Sequence, residues 1–172
     1  AALAAAERHE EVVLWFEHDL YDQLQLLQVL DTLGPVPPTR LTLVCRAEYL
    51  GSVTASRALE LHAARAAVTP AMLSLAGLAW SAFRAPDPAA LESLLMGDAS
   101  ALPFLAASLR RHLEELPSVL NGLSRSEAQI LDVVAQGRRR LAEVFVAAHH
   151  ERESPVFLGE TVFLTYLARL SD

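Results

Sequence analysis

Seven consecutive residues, Glu17-His18-Asp19-Leu20-Tyr21-Asp22-Gln23, bring together three carboxylates, an imidazole, a phenol and a carboxamide. Such a set offers donors for a divalent cation. It also offers a general acid and base, because an imidazole titrates near neutrality. Glu17, His18, Asp19 and Asp22 are therefore candidate catalytic residues, and Tyr21 and Gln23 candidate ligand contacts. The same side chains also have structural uses: Asp19 as a helix N-cap, Asp22 as a partner of the helix dipole, Glu17 and His18 as solvated loop residues. No set of residues is assigned as a metal site, and no cofactor is identified. The sequence contains no G-x-G-x-x-G, P-loop, G-x-S-x-G or H-E-x-x-H, so the enzyme classes those motifs serve lose their usual support.

Other polar groups carry bland expectations. His149-His150-Glu151 suggests metal ligation, but adjacent histidines on a helix point about 100° apart and make poor co-ligands, which predicts a solvated surface. Arg110-Arg111-His112 offers an anion patch, yet Glu114 and Glu115 follow within a turn and predict an exposed, salt-bridged face. Cys45 at a strand end reads as a small buried hydrophobe, and Trp15 and Trp80 as core.

The elements that must position the acidic cluster are legible. Val12-Val13-Leu14-Trp15-Phe16 is a continuous apolar run of the kind a parallel strand buried on both faces shows. The cluster leaves the carboxyl end of that strand and enters a helix over Leu20–Leu33. Its polar stripe is Asp22, Gln25, Gln28 and Asp31 or Thr32, and its apolar surface is Leu20, Leu24, Leu27 and Leu30. Gly34 closes this helix; Pro35, Pro37 and Pro38 make a stiff connection to a second strand, Leu41–Cys45. The result is a βαβ unit with a right-handed crossover, and open α/β sheets bind ligands at the carboxyl edge of their strands.

Downstream the pattern is helical. Thr54 or Ser52 caps a helix to about Arg65; Thr69-Pro70 and Asp87-Pro88 start two more, each with Pro just inside the helix. Further helices are expected over Leu102–Leu116, from the capping box Ser124-Arg125-Ser126-Glu127 to Gly137, over about Arg139–Glu153 and over Glu160–Leu170. Two strands do not make an independently stable, doubly covered sheet. The chain starts at Ala1, so upstream strands, or strand addition from another subunit in a homo-oligomer, are expected to complete it.

The 172 residues allow one domain or a small pair, and 52% apolar against 20% charged residues describes a chain that folds around a core. All 14 basic residues are Arg, which we attribute to a GC-rich genome. The net charge of −7 is concentrated at the N-terminal end, where residues 1–34 hold one Arg against seven acids. That removes the broad positive surface of a non-specific nucleic-acid binder. Residues 66–83 carry no charge, but a helix from Pro70 to Arg84 spans only about 21 Å against about 30 Å of hydrocarbon, so a helix buried in a soluble core is expected instead of a membrane span. The single Cys and the absence of a signal-peptide pattern indicate a cytoplasmic setting.

Leu123–Leu131 looks like the first helix of the helix-turn-helix domains of sigma factors and response regulators, and Arg138-Arg139-Arg140 adds a basic edge. Glu160–Leu170 instead offers mainly Phe163, Leu164, Tyr166 and Leu167, which do not read base edges, so a structural or partner-binding bundle is the better expectation.

Four stretches, VVLWFEHDLYDQLQLLQVL at 12–30, AWSAFRAPDP at 79–88, LPFLAASLRRHLEELPSVLNGLSRSEAQIL at 102–131 and PVFLGETVFLTYLARL at 155–170, resemble the bacterial family labelled domain of unknown function 1835 with its associated C-terminal domain. Members of that family look longer at the N-terminus, with a strand and a Gly-Asp-Ser-type segment that have no counterpart here. The resemblance implies no established activity. It adds Arg84, Arg111, His112 and Asn121 to the polar positions that would contact a ligand.

The expected architecture is a Rossmann-like α/β unit over 1–98 followed by an all-α, helix-turn-helix-like domain over 99–172. The expected function is binding of a nucleotide-like or phosphorylated small molecule at the Glu17–Asp22 edge, with hydrolase or transferase activity as an extension. The alternative is a regulatory module whose C-terminal helices contact DNA or a protein.

Overall fold

A computed structural model describes residues 3–34 and 40–171 of the chain. The expected connection through Pro35, Pro37 and Pro38 lies outside the described residues. The fold is mixed α/β and rich in helix, and it divides into two compact units, Ala1–Leu109 and Arg110–Asp172.

In the first unit a 3-10 turn over Leu3–Arg8 precedes β1 (Val12–Glu17), α1 (Leu20–Leu33) and β2 (Leu41–Arg46). The two strands pair in parallel, Val12 opposite Leu41 through Glu17 opposite Arg46. A third strand was not expected. β3 (Ala66–Ala67) follows α2 (Ala55–Ala63) and pairs antiparallel with β2, giving the order β1-β2-β3. Two alanines carry almost no strand propensity, and position beside β2 rather than composition makes them a strand.

Because β1 lies at the edge, it is not buried on both faces as its apolar run predicts. Leu14 is buried, but Trp15 is 36% exposed. The doubly covered strand is β2, with Leu41, Thr42, Leu43 and Val44 buried. α1 packs on β1 and on α3 (Pro70–Phe83) through Leu20, Gln23, Leu26, Leu27, Leu30 and Leu33, a stripe at three- and four-residue spacing. Leu24, expected on that face, is half-buried, whereas Gln25, Gln28 and Thr32 face solvent as the polar stripe requires. Burying each of Leu27 and Leu30 contributes about 1.5–3 kcal/mol. Gly34 ends α1 in ordinary right-handed helical conformation, its N–H donating to the Leu30 carbonyl.

The start signals work as local chemistry. Thr54 accepts from the Arg57 N–H, and Thr69 from the Met72 N–H with Pro70 in the first helical position. Asp87 accepts from the Ala89 N–H ahead of α4 (Ala89–Leu95). α3 is 14 residues long, and no described helix is long and apolar enough to cross a membrane. It is covered on one face only: Leu75, Ala76 and Ala79 are buried, while Leu78 is 61% exposed and Trp80 half-buried. Neither tryptophan is core, contrary to the sequence expectation.

α5 (Leu105–Leu113) is shorter than the expected 102–116 helix, and the division between units falls within it. In the second unit Ser124 and Glu127 form the predicted capping box at α6 (Arg125–Ala135). Gly137, at φ 98°, turns the chain in the left-handed region that favours glycine. The helix expected over 139–153 is instead α7 (Leu141–Phe145) followed by one π turn over Val146–His150, closed by the Glu151 N–H on the Val146 carbonyl. Ser126, Ile130 and Val133 of α6 are buried in a unit that also includes α7, the π turn and α8 (Glu160–Ser171). Phe163 of α8 is buried against Phe145, their ring centroids 4.8 Å apart.

Candidate functional site

β1 ends at Glu17 and α1 begins at Leu20, so the acidic cluster sits at the carboxyl edge of a parallel strand. Asp19 is the N-cap: its extended backbone (φ −74°, ψ 168°) turns Oδ1 onto the N–H groups of Tyr21 at 2.8 Å and Asp22 at 3.1 Å. Asp22 reaches back from the first turn and accepts the Glu17 N–H on Oδ2. Glu17 in turn accepts the Leu50 N–H on Oε1 at 2.8 Å, tying the edge to the 3-10 turn over Leu50–Ser52. Each carboxylate thus closes a backbone donor that the strand or helix end leaves open.

Gln23 is buried and donates from Nε2 to the Glu17 carbonyl at 2.6 Å and to Cys45 Sγ at 3.3 Å. Cys45 is half-buried rather than core, and burial pushes its thiol above the ordinary range, so it is no activated nucleophile. Burial also raises the carboxyls of Glu17 and Asp19, and the neighbouring Asp22 charge adds to both.

His18 is placed differently from its neighbours. Its carbonyl accepts from Ser108 Oγ at 3.4 Å and its ring meets Phe104 edge-on, centroids 5.6 Å apart. Its Nδ1 is buried and has no hydrogen-bond partner, alone in this among the described side-chain nitrogen and oxygen atoms. Phe104, Ser108, Leu50 and Cys45 all complete this edge from distant sequence, and no local pattern marks them.

The arrangement limits the ligand chemistry. The α1 amides that would hold a phosphate are occupied by Asp19, and three carboxylates surround them, so an anion meets repulsion where a helix N-terminus normally attracts it. Among the described residues no group of three or more His, Cys, Asp or Glu is disposed to hold a metal ion. Replacement of Asp19 by Ala is expected to cost about 1 kcal/mol, read as a lowered urea midpoint, because the helix loses its cap.

The other ligand-contact candidates do not gather here. Tyr21 takes its N–H to Asp19. Arg84 sits at the C-terminal end of α3, its guanidinium 5.9 Å from the Trp80 ring centre, near Asp31 at the far end of α1 from the cluster. Arg111, His112 and Asn121 belong to the second unit. Arg111 is not on an exposed face: its side chain is 12% exposed, with Nε and Nη2 on the two oxygens of Glu153 at 2.9 Å, Nη1 on Glu115, and Nη2 also on Ser126. Its guanidinium lies 4.9 Å from the Phe157 ring centre. Burial lowers the His112 imidazole. Asn121 is exposed and its Oδ1 accepts the Leu123 N–H, a turn role.

His149, expected on a solvated surface, is 1% exposed, and its Nε2 accepts from the N–H groups of Phe157 at 3.1 Å and Leu158 at 2.8 Å. The helical spacing of Val144, Ala147 and Ala148 was the available signal for a buried face at this point. Comparison of the chain with family models, with curated proteins and with solved structures finds no match.

Proposed function

We propose that the chain is a member of the domain-of-unknown-function-1835 family and a small-molecule-binding protein whose ligand docks at the carboxyl edge of β1, used in the Rossmann-like manner. The observation that carries this reading is the buried, unpartnered Nδ1 of His18. Buried polar atoms in folded proteins are almost always hydrogen-bonded, and those that are not are often kept for a ligand or a reaction. Phe104 supplies an aromatic wall beside it. Within the nucleotide-like class, the three carboxylates favour the base or ribose over the phosphate, because neutral and cationic groups escape the repulsion described above. The raised carboxyls of Glu17 and Asp19 suit proton transfer closer to neutrality than free acids do, which supports acid-base chemistry as the extension of binding.

The test is a thermal-shift titration with adenosine and with AMP. Adenosine at a hundredfold excess over its Kd is expected to add about 2.7 kcal/mol, AMP less, and His18→Leu to abolish both shifts while still unfolding cooperatively. No shift with the unsubstituted chain, or an equal shift in His18→Leu, overturns the reading.

A second reading, the helix-turn-helix-like regulatory module, draws support from the exposed Val162 and Leu164 on α8. It favours a protein partner over DNA. Arg125 is paired with Glu114 and Glu153, Arg152 with Asp132 and Arg111 with Glu115 and Glu153, which leaves Arg110, Arg138–Arg140 and Arg169 as a small basic remainder among the described residues of this unit.

A further inference from the structure

A different place on the first unit carries two opposite charges that do not meet. Asp31, Trp80, Ser81 and Arg84 line one concavity of about 380 Å³, within the range of small-ligand sites. A second concavity of about 340 Å³, lined by Leu30, Asp31, Gly34, Leu73 and Ser74, shares Asp31 with it. Among the described residues neither Asp31 nor Arg84 has an ion pair, although both edge the same space and residues 66–83 offer no other charge.

The placement of Asp31 is unfavourable for the helix that carries it. It lies in the last turn of α1, which holds no basic residue, and a carboxylate there opposes the helix dipole. It is half-buried as well. Arg84 suits its position at the C-terminal end of α3, and its guanidinium lies over the Trp80 ring, 5.9 Å from its centre. A local choice that works against its own element, with no compensating hydrogen bond or ion pair among the described residues, is expected at functional or strained positions.

We propose that this concavity is a site for a small zwitterion, an α-amino acid with an apolar side chain. The guanidinium of Arg84 would pair with the carboxylate through two parallel N–H donors. Asp31 would take the ammonium group, and the indole of Trp80, stacked on Phe83 at 5.4 Å, gives the side chain an aromatic surface. The site lies at the opposite end of α1 from Asp19 and does not depend on the reading of the His18 edge.

Trp80 is its own reporter. With Trp15→Phe removing the other tryptophan, L-leucine and L-phenylalanine are titrated against fluorescence excited at the red edge of the indole band. The Trp80 indole N–H resonance in the unsubstituted chain provides the same readout without a substitution. A saturable change is expected for both amino acids, weakened at least tenfold for N-acetyl-L-leucine, which lacks the ammonium, and for L-leucine amide, which lacks the carboxylate. Asp31→Asn is expected to erase the preference over the acetylated probe, and Arg84→Gln the preference over the amide. His18→Leu is expected to leave both preferences intact. No saturable change, or equal changes from all the leucine probes, overturns the proposal.

Discussion

Replacing Arg111 by Met is expected to lower the stability of the second unit by about 3–5 kcal/mol at pH 7, because it leaves Glu153, with a side chain 3% exposed, as a buried carboxylate stripped of its bidentate partner. Glu115 loses its cation in the same change, keeping Ser126 and Tyr166 as donors. Burial by itself would raise the Glu115 carboxyl, and the donors and Arg111 together hold it below its ordinary range. Burial likewise works against the Arg111 charge, which Glu153 and Glu115 overcome. The cluster is therefore stable as a whole and expensive to break. Urea unfolding of Arg111→Met, Glu153→Met and the double variant checks this. The double variant is expected to recover a large part of the loss, since two apolar side chains replace a largely buried pair, while Glu115 stays without its cation. A loss below about 1 kcal/mol in Arg111→Met would show the pair to be solvated. Arg111 is thus explained by folding, without a ligand.

Acidification is expected to remove about 3 kcal/mol through His149 alone. Burial holds its imidazole at about 4, below the ordinary 6.5, with His150 and Arg111 adding to the depression and Glu153 and Glu115 opposing it. The unfolded chain takes up this proton as pH falls through 6.5, and the folded chain does not until about 4. Between those values the unfolded state binds more protons, so stability falls as pH falls. The contribution is complete above pH 6.5 and gone below about 4. Structurally, protonation turns the Nε2 acceptor into a donor facing the N–H groups of Phe157 and Leu158. His149→Gln removes the titration, so the free-energy difference between it and the unsubstituted chain should shrink by about 3 kcal/mol from pH 6.5 to 4. Protonation of carboxylates acts on both and cancels. A difference independent of pH would mean that the imidazole is reached by water in the folded state.

These two positions also show where the sequence stops being informative. Asp19, Thr54, Thr69 and Ser124 could be read as caps because a cap is chemistry between residues two or three apart. The strands β1 and β2 could be read because their apolar runs need no partner to be recognised. Exposure could not: β1 and α3 look alike buried in composition, and only the sheet order and the packing partner of α3 decide that Trp15 and Leu78 meet solvent. The pairing of Arg111 with Glu153 joins residues 42 apart, and the acceptor role of His149 needs a chain segment eight residues on to fold back over it. At the candidate site the acids were legible, while Leu50, Cys45, Phe104 and Ser108, which decide that the acids close backbone groups and that His18 is left unpartnered, were not.

The hold of Asp22 and Gln23 on the end of β1 also bears on aggregation. Val12–Phe16 is an uncharged, proline-free run of high strand propensity at a sheet edge, the type of segment that recruits an identical chain and starts a cross-β stack. The N–H and C=O of Glu17 are already taken by side chains of the following helix. An incoming strand therefore finds its ladder cut short at the carboxyl end, and meets Glu10 and Glu11 at the other. The same contacts that hold the carboxyl end of β1 act as a gatekeeper, keeping this apolar run from becoming a template.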